Sequence, residues 1–308
     1  MRFDSYHPAI NLIFFASAIG CTVCFNHPVF VMISYTMAFA YSVKLNGRRA
    51  LTFNICLIPA ILAYGWFYSY YNHFGVTVLG KNFIDNSMTL ESLVYGMVLG
   101  IVIASVIMWA SCMFAVFSSD KVVYLFGRIS PRLSLFISMV LRAVPRIKER
   151  AGRINISRRG IGCGAGDGNP VRKLLNTVRL ISILITWSLE NFVESAQSMK
   201  SRGYTLKGRT AFSIYRFDNR DRAFTIAVCA CMTMTVMAAL LDQTSIYYDP
   251  EIIFNRITAV SYIFYISYAV LLAMPMALQI AGEIKFRRIS MHALDMEHAM
   301  DMEFGTDM

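Results

Sequence analysis

The chain is patterned in long apolar runs that alternate with short polar connections, and one long polar segment interrupts the series. A helix of about 20 apolar residues crosses the hydrocarbon core of a bilayer. The pattern predicts six membrane helices, at approximately Ile10–Phe25, Val29–Val43, Leu51–Tyr71, Leu93–Phe117, Ala223–Leu241 and Ile257–Ala281. The first two runs are short and joined only by Asn26, His27 and Pro28. We therefore expect a tight hairpin there, and the pattern leaves open whether it crosses fully.

The polar segment from Ser118 to Arg222 has the pattern of two long amphipathic helices. The first is predicted from Arg132 to about Arg158, and Pro145 within it predicts a kink or a change of helix because proline lacks a backbone donor. A stripe of arginines runs along this helix, separate from the apolar positions: Arg142, Arg146, Arg150 and Arg153. The second helix is predicted from Val171 to about Lys200. Its charge-free middle is too short to cross a bilayer, so we expect it to lie along the membrane surface or to pack against the first helix.

Composition supports a membrane protein, since 56% of the residues are hydrophobic and the mean hydropathy is +0.50. The formal net charge is +10. Residues 118–222 contain 20 Lys and Arg against 7 Asp and Glu, a net of +13, so the rest of the chain carries 10 − 13 = −3. All of the excess positive charge therefore lies in one segment, which is far longer than the usual connection between helices.

The distribution of Lys and Arg also predicts the orientation, because positively charged loops stay on the cytoplasmic side. Lys44, Arg48 and Arg49 place the second connection inside, and the cations after the last run place the C-terminus inside. The acidic connections at residues 72–91 and 242–256 belong outside. We expect a multi-pass protein of the cell membrane with both termini and the basic insert in the cytoplasm, and an uncleaved N-terminus.

Both amphipathic helices are predicted to end on an arginine followed by a glycine. The first ends at Arg158-Arg159-Gly160 and the second at Ser201-Arg202-Gly203. Glycine is favoured just past a helix end because it accepts a left-handed backbone, and a cation in the last turn complements the helix dipole. One such ending is ordinary, but two in one basic insert of a membrane protein are more specific.

With these residues the sequence resembles the transmembrane T component of energy-coupling factor (ECF) importers, the EcfT/CbiQ family. In that family each of two coupling helices closes on an Ala-Arg-Gly-like tripeptide, which corresponds to Arg158-Arg159-Gly160 and Ser201-Arg202-Gly203 here. Leu141-Arg142-Ala143-Val144-Pro145 is similar to the family's Leu-Arg-Phe-Ile-Pro element, and Glu194 to Met199 leads into the second motif. The departures are Arg158 and Ser201, which stand in the alanine positions.

The resemblance implies a scaffold with no enzymatic activity of its own. Its coupling helices would dock into two ABC-type ATPase subunits, or a homodimer of one, through the residues of the two tripeptides. Its membrane helices would hold a small membrane S component that binds a vitamin or a metal ion such as nickel or cobalt. The implied all-α organisation is membrane helices in 1–117, a cytoplasmic coupling domain in 118–222, membrane helices in 223–284 and a cytoplasmic tail in 285–308.

Other chemistry is less well supported by the sequence. The glycine-rich run from Gly160 to Gly168 follows a helix, precedes Pro170 and lacks the Gly-Lys-Ser/Thr of a Walker A loop. We interpret it as a flexible turn between the two helices, so ATP is expected to be bound by a partner. The basic insert lacks a nucleic-acid recognition pattern, and anionic lipids and ATPase surfaces suit it better than nucleic acid.

The cysteines lie mostly in apolar runs and predict no disulfide framework, and Cys21 and Cys24 have no second pair with which to bind a metal. No cofactor or metal site is predicted, although metal sensing by His292 and His298 is an alternative to an acidic, partly disordered tail. The runner-up function is a membrane-embedded enzyme or a stand-alone carrier, which the scarcity of ionisable residues in the predicted spans disfavours. The sequence does not identify the cargo.

Overall fold

The computed structural model describes residues 3–72, 74–81, 87–204, 206, 215, 217–248 and 258–305, without the side chains of 81, 87, 128, 129, 131 and 292–305. The chain divides into two compact units. The first comprises Met1–Ser118 and Tyr215–Met308, and the second comprises Ser119–Ile214. The second unit is thus an insertion in the sequence of the first.

The first unit contains the six predicted apolar helices, in the positions that the hydropathy pattern indicates. They are α1 (Pro8–Cys24), α2 (Pro28–Asn46), α3 (Arg48–Tyr71), α4 (Leu90–Val116), α8 (Asn219–Leu240) and α9 (Ala259–Gly305). Among the described residues, five helices are long and apolar enough to cross a membrane, whereas α1, with 17 residues, is shorter. The prediction of an all-α polytopic membrane protein is confirmed. The α9 helix continues beyond the predicted end of the last membrane helix at Ala281, as far as Gly305.

The first two helices begin with the same dipeptide, histidine followed by proline. The Nδ1 atom of His7 accepts a hydrogen bond from the backbone N–H of Ala9 at 3.3 Å, and that of His27 accepts one from Val29 at 3.2 Å. Proline at the first helical position has no N–H to satisfy, and its fixed φ suits the helix. These two histidines therefore cap the helices of the predicted hairpin.

Side-chain hydroxyls join four helices at the centre of the first unit. The indole N–H of Trp109 on α4 donates to the Ser34 hydroxyl on α2 at 3.1 Å. The Ser34 hydroxyl lies 2.7 Å from that of Thr22 on α1, which lies 3.4 Å from the phenol oxygen of Tyr268 on α9. All four side chains are buried. Polar bridges of this kind hold helices together where lipid offers no hydrophobic driving force.

Helices α3 and α4 pack closely because glycines line their contact. A Cβ atom placed on Gly96 would lie 2.9 Å from the Cβ of Tyr68 and 3.0 Å from the carbonyl oxygen of Gly65. One placed on Gly100 would lie 3.2 Å from Ile61. Gly96 and Gly100 form a small-x-x-x-small pair, the sequence signature of close helix packing in membranes.

Between α3 and α4 lies a small antiparallel hairpin that the sequence pattern did not predict. It consists of β1 (Val78–Lys81) and β2 (Ser87–Thr89), with Val78 opposite Thr89. The buried Glu91 carboxylate at the start of α4 accepts hydrogen bonds from the backbone N–H and the hydroxyl of Thr77. Strands this short show too few positions for an alternating pattern to be recognised.

Alternate connections between the helices of the first unit lie at opposite ends of that unit. At one end, the backbone N–H groups of Asn26 and His27 donate to the carbonyl oxygen of Thr244 at 3.1 and 2.9 Å. At the other end, the Lys44 ammonium lies 2.6 Å from the Glu283 carboxylate. This grouping agrees with the alternation that six successive crossings require.

The second unit consists of α5 (Ser119–Ile129), α6 (Pro131–Arg159) and α7 (Pro170–Ser201). The α5 and α6 helices are tied by a hydrogen bond from the Ser134 hydroxyl to the carbonyl oxygen of Val123 at 3.1 Å. The α6 and α7 helices match the two predicted amphipathic helices to within a few residues. Since α6 continues through Pro145 as one helix, the alternative of two separate helices there is wrong.

Candidate functional site

The α6 helix ends in a Schellman motif, in which two amides beyond the helix satisfy its last free carbonyls. The N–H of Cys163 donates to the Arg158 carbonyl oxygen at 2.9 Å, and the N–H of Gly162 donates to that of Arg159 at 3.0 Å. The left-handed residue is Gly162, with φ of 71°. Gly160 has φ of −57° and ψ of −24°, which is right-handed helical backbone. The expectation of a left-handed backbone at Gly160 is therefore wrong, because the left-handed turn that closes the motif falls two residues later, at Gly162.

The α7 helix ends in the same motif, and here the predicted glycine is the one that adopts the left-handed backbone. Gly203 has φ of 76°. Its N–H donates to the Lys200 carbonyl oxygen at 3.1 Å, and the N–H of Tyr204 donates to that of Met199 at 3.2 Å. Arg202 thus immediately precedes the turn out of the helix. Ser201 hydrogen-bonds within its own turn, through its hydroxyl to the Ser198 carbonyl oxygen at 2.8 Å.

The two Arg-Gly pairs consequently differ in their position relative to the helix end. Arg202 directly precedes the left-handed glycine of α7. In α6 that position belongs to Ile161, and Arg159 lies two residues earlier, in the last helical turn. The tripeptides match as sequences but are offset by two residues when aligned on their capping hydrogen bonds. Each helix end therefore carries an arginine, but the two arginines differ in their distance along the chain from the left-handed glycine.

The side chains of Arg158 and Arg159 have separate surroundings. Arg158 is half-buried, and its Nε donates to the Cys163 carbonyl oxygen at 3.1 Å, so it closes its own turn. Arg159 is exposed and lies over the glycine-rich run: a Cβ on Gly164 would be 2.4 Å from the Arg159 Cγ. One on Gly166 would be 3.3 Å from its Nη2. Arg159 is therefore the member of the pair that a partner can reach.

Hydrogen bonds from both helices hold the connection between α6 and α7. The backbone N–H of Ala165 donates to the Asn155 side chain on α6 at 2.9 Å, and the buried Asn176 side chain on α7 donates to the Gly164 carbonyl oxygen at 3.2 Å. Asp167 accepts the N–H of Gly164 at 3.0 Å. The predicted turn between the two helices is present, and these hydrogen bonds define its shape. The signal that could have shown this is an asparagine inside each flanking helix, where asparagine is otherwise disfavoured.

The two arginine-bearing ends lie far apart along α7. This helix has 32 residues, and at 1.5 Å per residue it is about 48 Å long. Arg159 is the last residue of α6, which residues 160–169 connect to the first residue of α7, whereas Arg202 follows the last residue of α7. One rigid helix therefore separates the two candidate docking ends.

Most of the predicted apolar face of α7 is exposed within the second unit. The exposed members are Leu174, Leu175, Val178, Ile181, Ile185, Leu189 and Phe192. An uninterrupted apolar face of this length on a soluble protein would mark an interaction surface or a membrane contact. The packing of α6 against α7 leaves this face uncovered.

The described residues contain no group of three or more His, Cys, Asp and Glu side chains that could hold a metal ion. The side chains of His292 and His298 lie outside the described part of the chain. The described cysteines are free, Cys21 being buried and Cys24 exposed.

Comparison with known proteins supplies the family context for this geometry. No family model matches the chain. The protein is 25% identical over 114 residues to the "Energy-coupling factor transporter transmembrane protein EcfT" of Lactococcus lactis subsp. cremoris (strain MG1363), covering 37% of this chain and 42% of that protein. It is 29% identical over 110 residues to "EcfT 1" of Listeria monocytogenes serotype 1/2a (strain 08-5578), covering 35% and 40%.

The chain resembles the EcfT family. This similarity confirms the resemblance drawn from the two tripeptides. The matched region spans about two fifths of the length of each EcfT relative. Together with the apolar helices, the likeness to EcfT supports a multi-pass membrane protein.

Proposed function

We propose that this chain is the T component of an ECF-type importer, a membrane scaffold that transmits ATP-driven movement of partner ATPases to a substrate-binding S component. The observation that carries the proposal is the pair of exposed arginines, Arg159 at the end of α6 and Arg202 at the end of α7, in a chain similar to EcfT proteins. The α7 helix, about 48 Å long, separates the two docking ends, so a displacement of either end would move the helix as a rigid body.

Each arginine end is suited to docking on an ABC-type ATPase subunit. A guanidinium group offers five donors in a fixed fork that matches carboxylates and backbone carbonyls. The residues next to the arginines are small: Gly160, Ser201 and Gly203. A partner surface can therefore approach the backbone closely there. Arg158 supports this surface by closing the α6 turn. The two arginines are offset by two residues relative to the capping hydrogen bonds of their helices. Two different ATPase subunits could each match one of these ends, whereas a homodimer would have to bind both with the same surface.

The exposed apolar face of α7 is proposed to contact the bilayer and the S component. Substrate selection is assigned to that S component, so the cargo, a vitamin or a metal ion, is not encoded by the residues described here. The basic second unit and both chain termini are proposed to face the cytoplasm, which the clustering of Lys and Arg supports.

Co-purification tests the proposal. The chain is expressed with its candidate ATPase subunits and S component, and retention of the ATPases is compared between unmodified chain and Arg159→Glu/Arg202→Glu. Reversing both charges is expected to weaken docking by about 2 kcal/mol or more per site, because interface arginines are frequent hot spots. The matched control is Lys148→Glu/Arg153→Glu, which makes the same charge change at exposed positions on α6.

Full retention of the ATPases and of transport by the Arg159→Glu/Arg202→Glu chain would contradict the proposal. Transport or catalysis by the purified chain without any ATP-binding subunit would favour the alternatives, a stand-alone carrier or a membrane-embedded enzyme.

A further inference from the structure

The arginine stripe of α6 is divided into members that have local partners and members that do not. The Arg150 guanidinium lies over the Trp187 ring, 5.0 Å from its centroid, and Arg153 pairs with Glu149 at 2.5 Å. Arg142 and Arg146 are exposed, and within the described residues their guanidinium groups have no hydrogen bond or ion pair. Two neighbouring cations on one helix face are thus left for a ligand outside the chain.

Both free arginines line a groove between α6 and α7 of about 530 Å³. The wall of the groove is amphipathic: Arg142, Arg146 and Arg202 supply positive charge, Glu194 supplies one negative charge, and Met139 and Phe192 are among its apolar members. The charged lining therefore has a net of +2, since 3 − 1 = 2. A ligand that fits must carry negative charge and an apolar part.

We infer that this groove binds an anionic phospholipid, with the headgroup phosphate on Arg142 and Arg146 and an acyl chain along the apolar wall. Guanidinium groups bind phosphate oxygens in bidentate geometry, and basic pockets between helices at a membrane surface select acidic headgroups. A free phosphate would leave the apolar wall exposed to water. The inference rests on the membrane location of the chain and not on the proposed coupling function.

A phospholipid suits the groove better than an acidic protein segment because of the surface that surrounds it. The same helix pair exposes a long row of apolar side chains on α7, from Leu174 to Phe192, in a chain that has bilayer-length helices. An amphipathic helix pair with a cationic edge is the type of structure that lies in the bilayer interface, where anionic lipid is abundant.

Quenching of Trp187, which lines the groove, gives a direct assay. The full-length chain carrying Trp66→Phe is reconstituted without any partner protein in phosphatidylcholine vesicles. These contain an equal minor fraction of lipid brominated on its acyl chains, either phosphatidylglycerol or phosphatidylcholine. Trp66 is removed because it is 63% exposed, whereas Trp109 is fully buried and shielded from quencher. Brominated phosphatidylglycerol is expected to quench Trp187 more strongly than brominated phosphatidylcholine.

Two double variants with the same change in net charge locate the effect. Arg142→Gln/Arg146→Gln is expected to lower the preference for phosphatidylglycerol roughly tenfold, at about a few-fold per cation. Lys148→Gln/Arg153→Gln, on the same helix but outside the groove lining, is expected to retain it. Arg202 is left unchanged because it is assigned to ATPase docking.

Three results would overturn the inference. Equal loss of preference in both double variants would show diffuse electrostatic attraction, and absence of any preference in the starting chain would show that no anionic lipid is selected. Absence of preference, combined with shielding of Trp187 from acrylamide by an added ATP-binding subunit, would make the groove a protein-docking site. Because the lipid preference is measured before any ATP-binding subunit is added, its failure is distinguishable from failure of the co-purification experiment.

Discussion

The backbone N–H of Cys163 donates to the carbonyl oxygen of Arg158 at 2.9 Å, and this one hydrogen bond fixes where α6 ends. It places the left-handed position at Gly162, so that Gly160, just past the helix, keeps right-handed helical backbone. The arginine of the first tripeptide is therefore presented from the helix itself. The arginine of the second tripeptide is presented from the residue where the helix stops.

Replacing Gly162 with alanine should destabilise the α6 terminus, whereas the same replacement at Gly160 should not. A side chain at φ of 71° costs about 1 kcal/mol, and alanine at φ of −57° is compatible with helix. Thermal unfolding of the two variants in detergent measures the difference. Equal destabilisation by both substitutions would mean that α6 ends at Gly160, as the tripeptide pattern suggested.

A methyl group on Gly164 should displace the Arg159 side chain. The new Cβ would lie 2.4 Å from the Arg159 Cγ, an atom too near the backbone to swing away freely. Gly164→Ala is expected to weaken ATPase binding by about 1 kcal/mol, roughly fivefold in Kd, as measured by titration of the reconstituted complex.

Gly166→Ala is the matched control for Gly164→Ala, since its Cβ would meet only the mobile end of Arg159, at 3.3 Å. It should bind the ATPases like the unmodified chain. If Gly164→Ala also bound normally while remaining folded, the orientation of Arg159 would be irrelevant to docking.

The six apolar helices of the first unit and the α6 and α7 helices of the second could be predicted from the sequence, because each has a long apolar or amphipathic pattern that tolerates small errors at its ends. The 11-residue helix α5 and the continuation of α9 to Gly305 were not predicted. The details of the candidate site could not. Whether Gly160 or Gly162 turns left-handed depends on which amide reaches the Arg158 carbonyl, a choice between two nearby glycines that composition does not decide. The Asn155 and Asn176 contacts join residues 10 and 12 positions from their partners, beyond any local pattern.

The division of the arginine stripe is a further feature that only the fold reveals. Arg142 and Arg150 occupy similar positions in the sequence pattern, two turns apart. Trp187 on α7 lies against Arg150, and the groove opens beside Arg142. Periodicity predicted the stripe, but the packing of the second helix decides which members are free.

Close packing of α3 on α4 should fail when Gly96 is enlarged. A Cβ on Gly96 would lie about 3 Å from the Cβ of Tyr68 and from the backbone of Gly65, where the two helices touch. Gly96→Leu is therefore expected to lower the free energy of unfolding by about 1–3 kcal/mol. Gly20→Leu is the control, since a Cβ at Gly20 on α1 meets nothing within 4 Å. Thermal unfolding in detergent checks both, and equal stability of the two variants would contradict the packing role of Gly96.

Stability should fall when His27 is protonated. Burial lowers the pKa of His27 below its usual value of 6.5, so the unfolded chain binds a proton that the folded chain resists. This contribution to stability is therefore present above pH 6.5 and is lost as the pH falls below it. Protonation also removes the Nδ1 lone pair that caps α2 through Val29.

The variant His27→Asn isolates this effect, because asparagine caps a helix well and does not titrate. The midpoint of thermal unfolding in detergent is followed from pH 7.5 to pH 5, as a difference between the unmodified chain and the variant. That difference cancels the contributions of the titrating groups that the two chains share. The unmodified chain is expected to lose stability relative to His27→Asn as the pH falls through this range. Parallel profiles would show that His27 is protonated equally in the folded and unfolded chain and that its cap does not depend on charge.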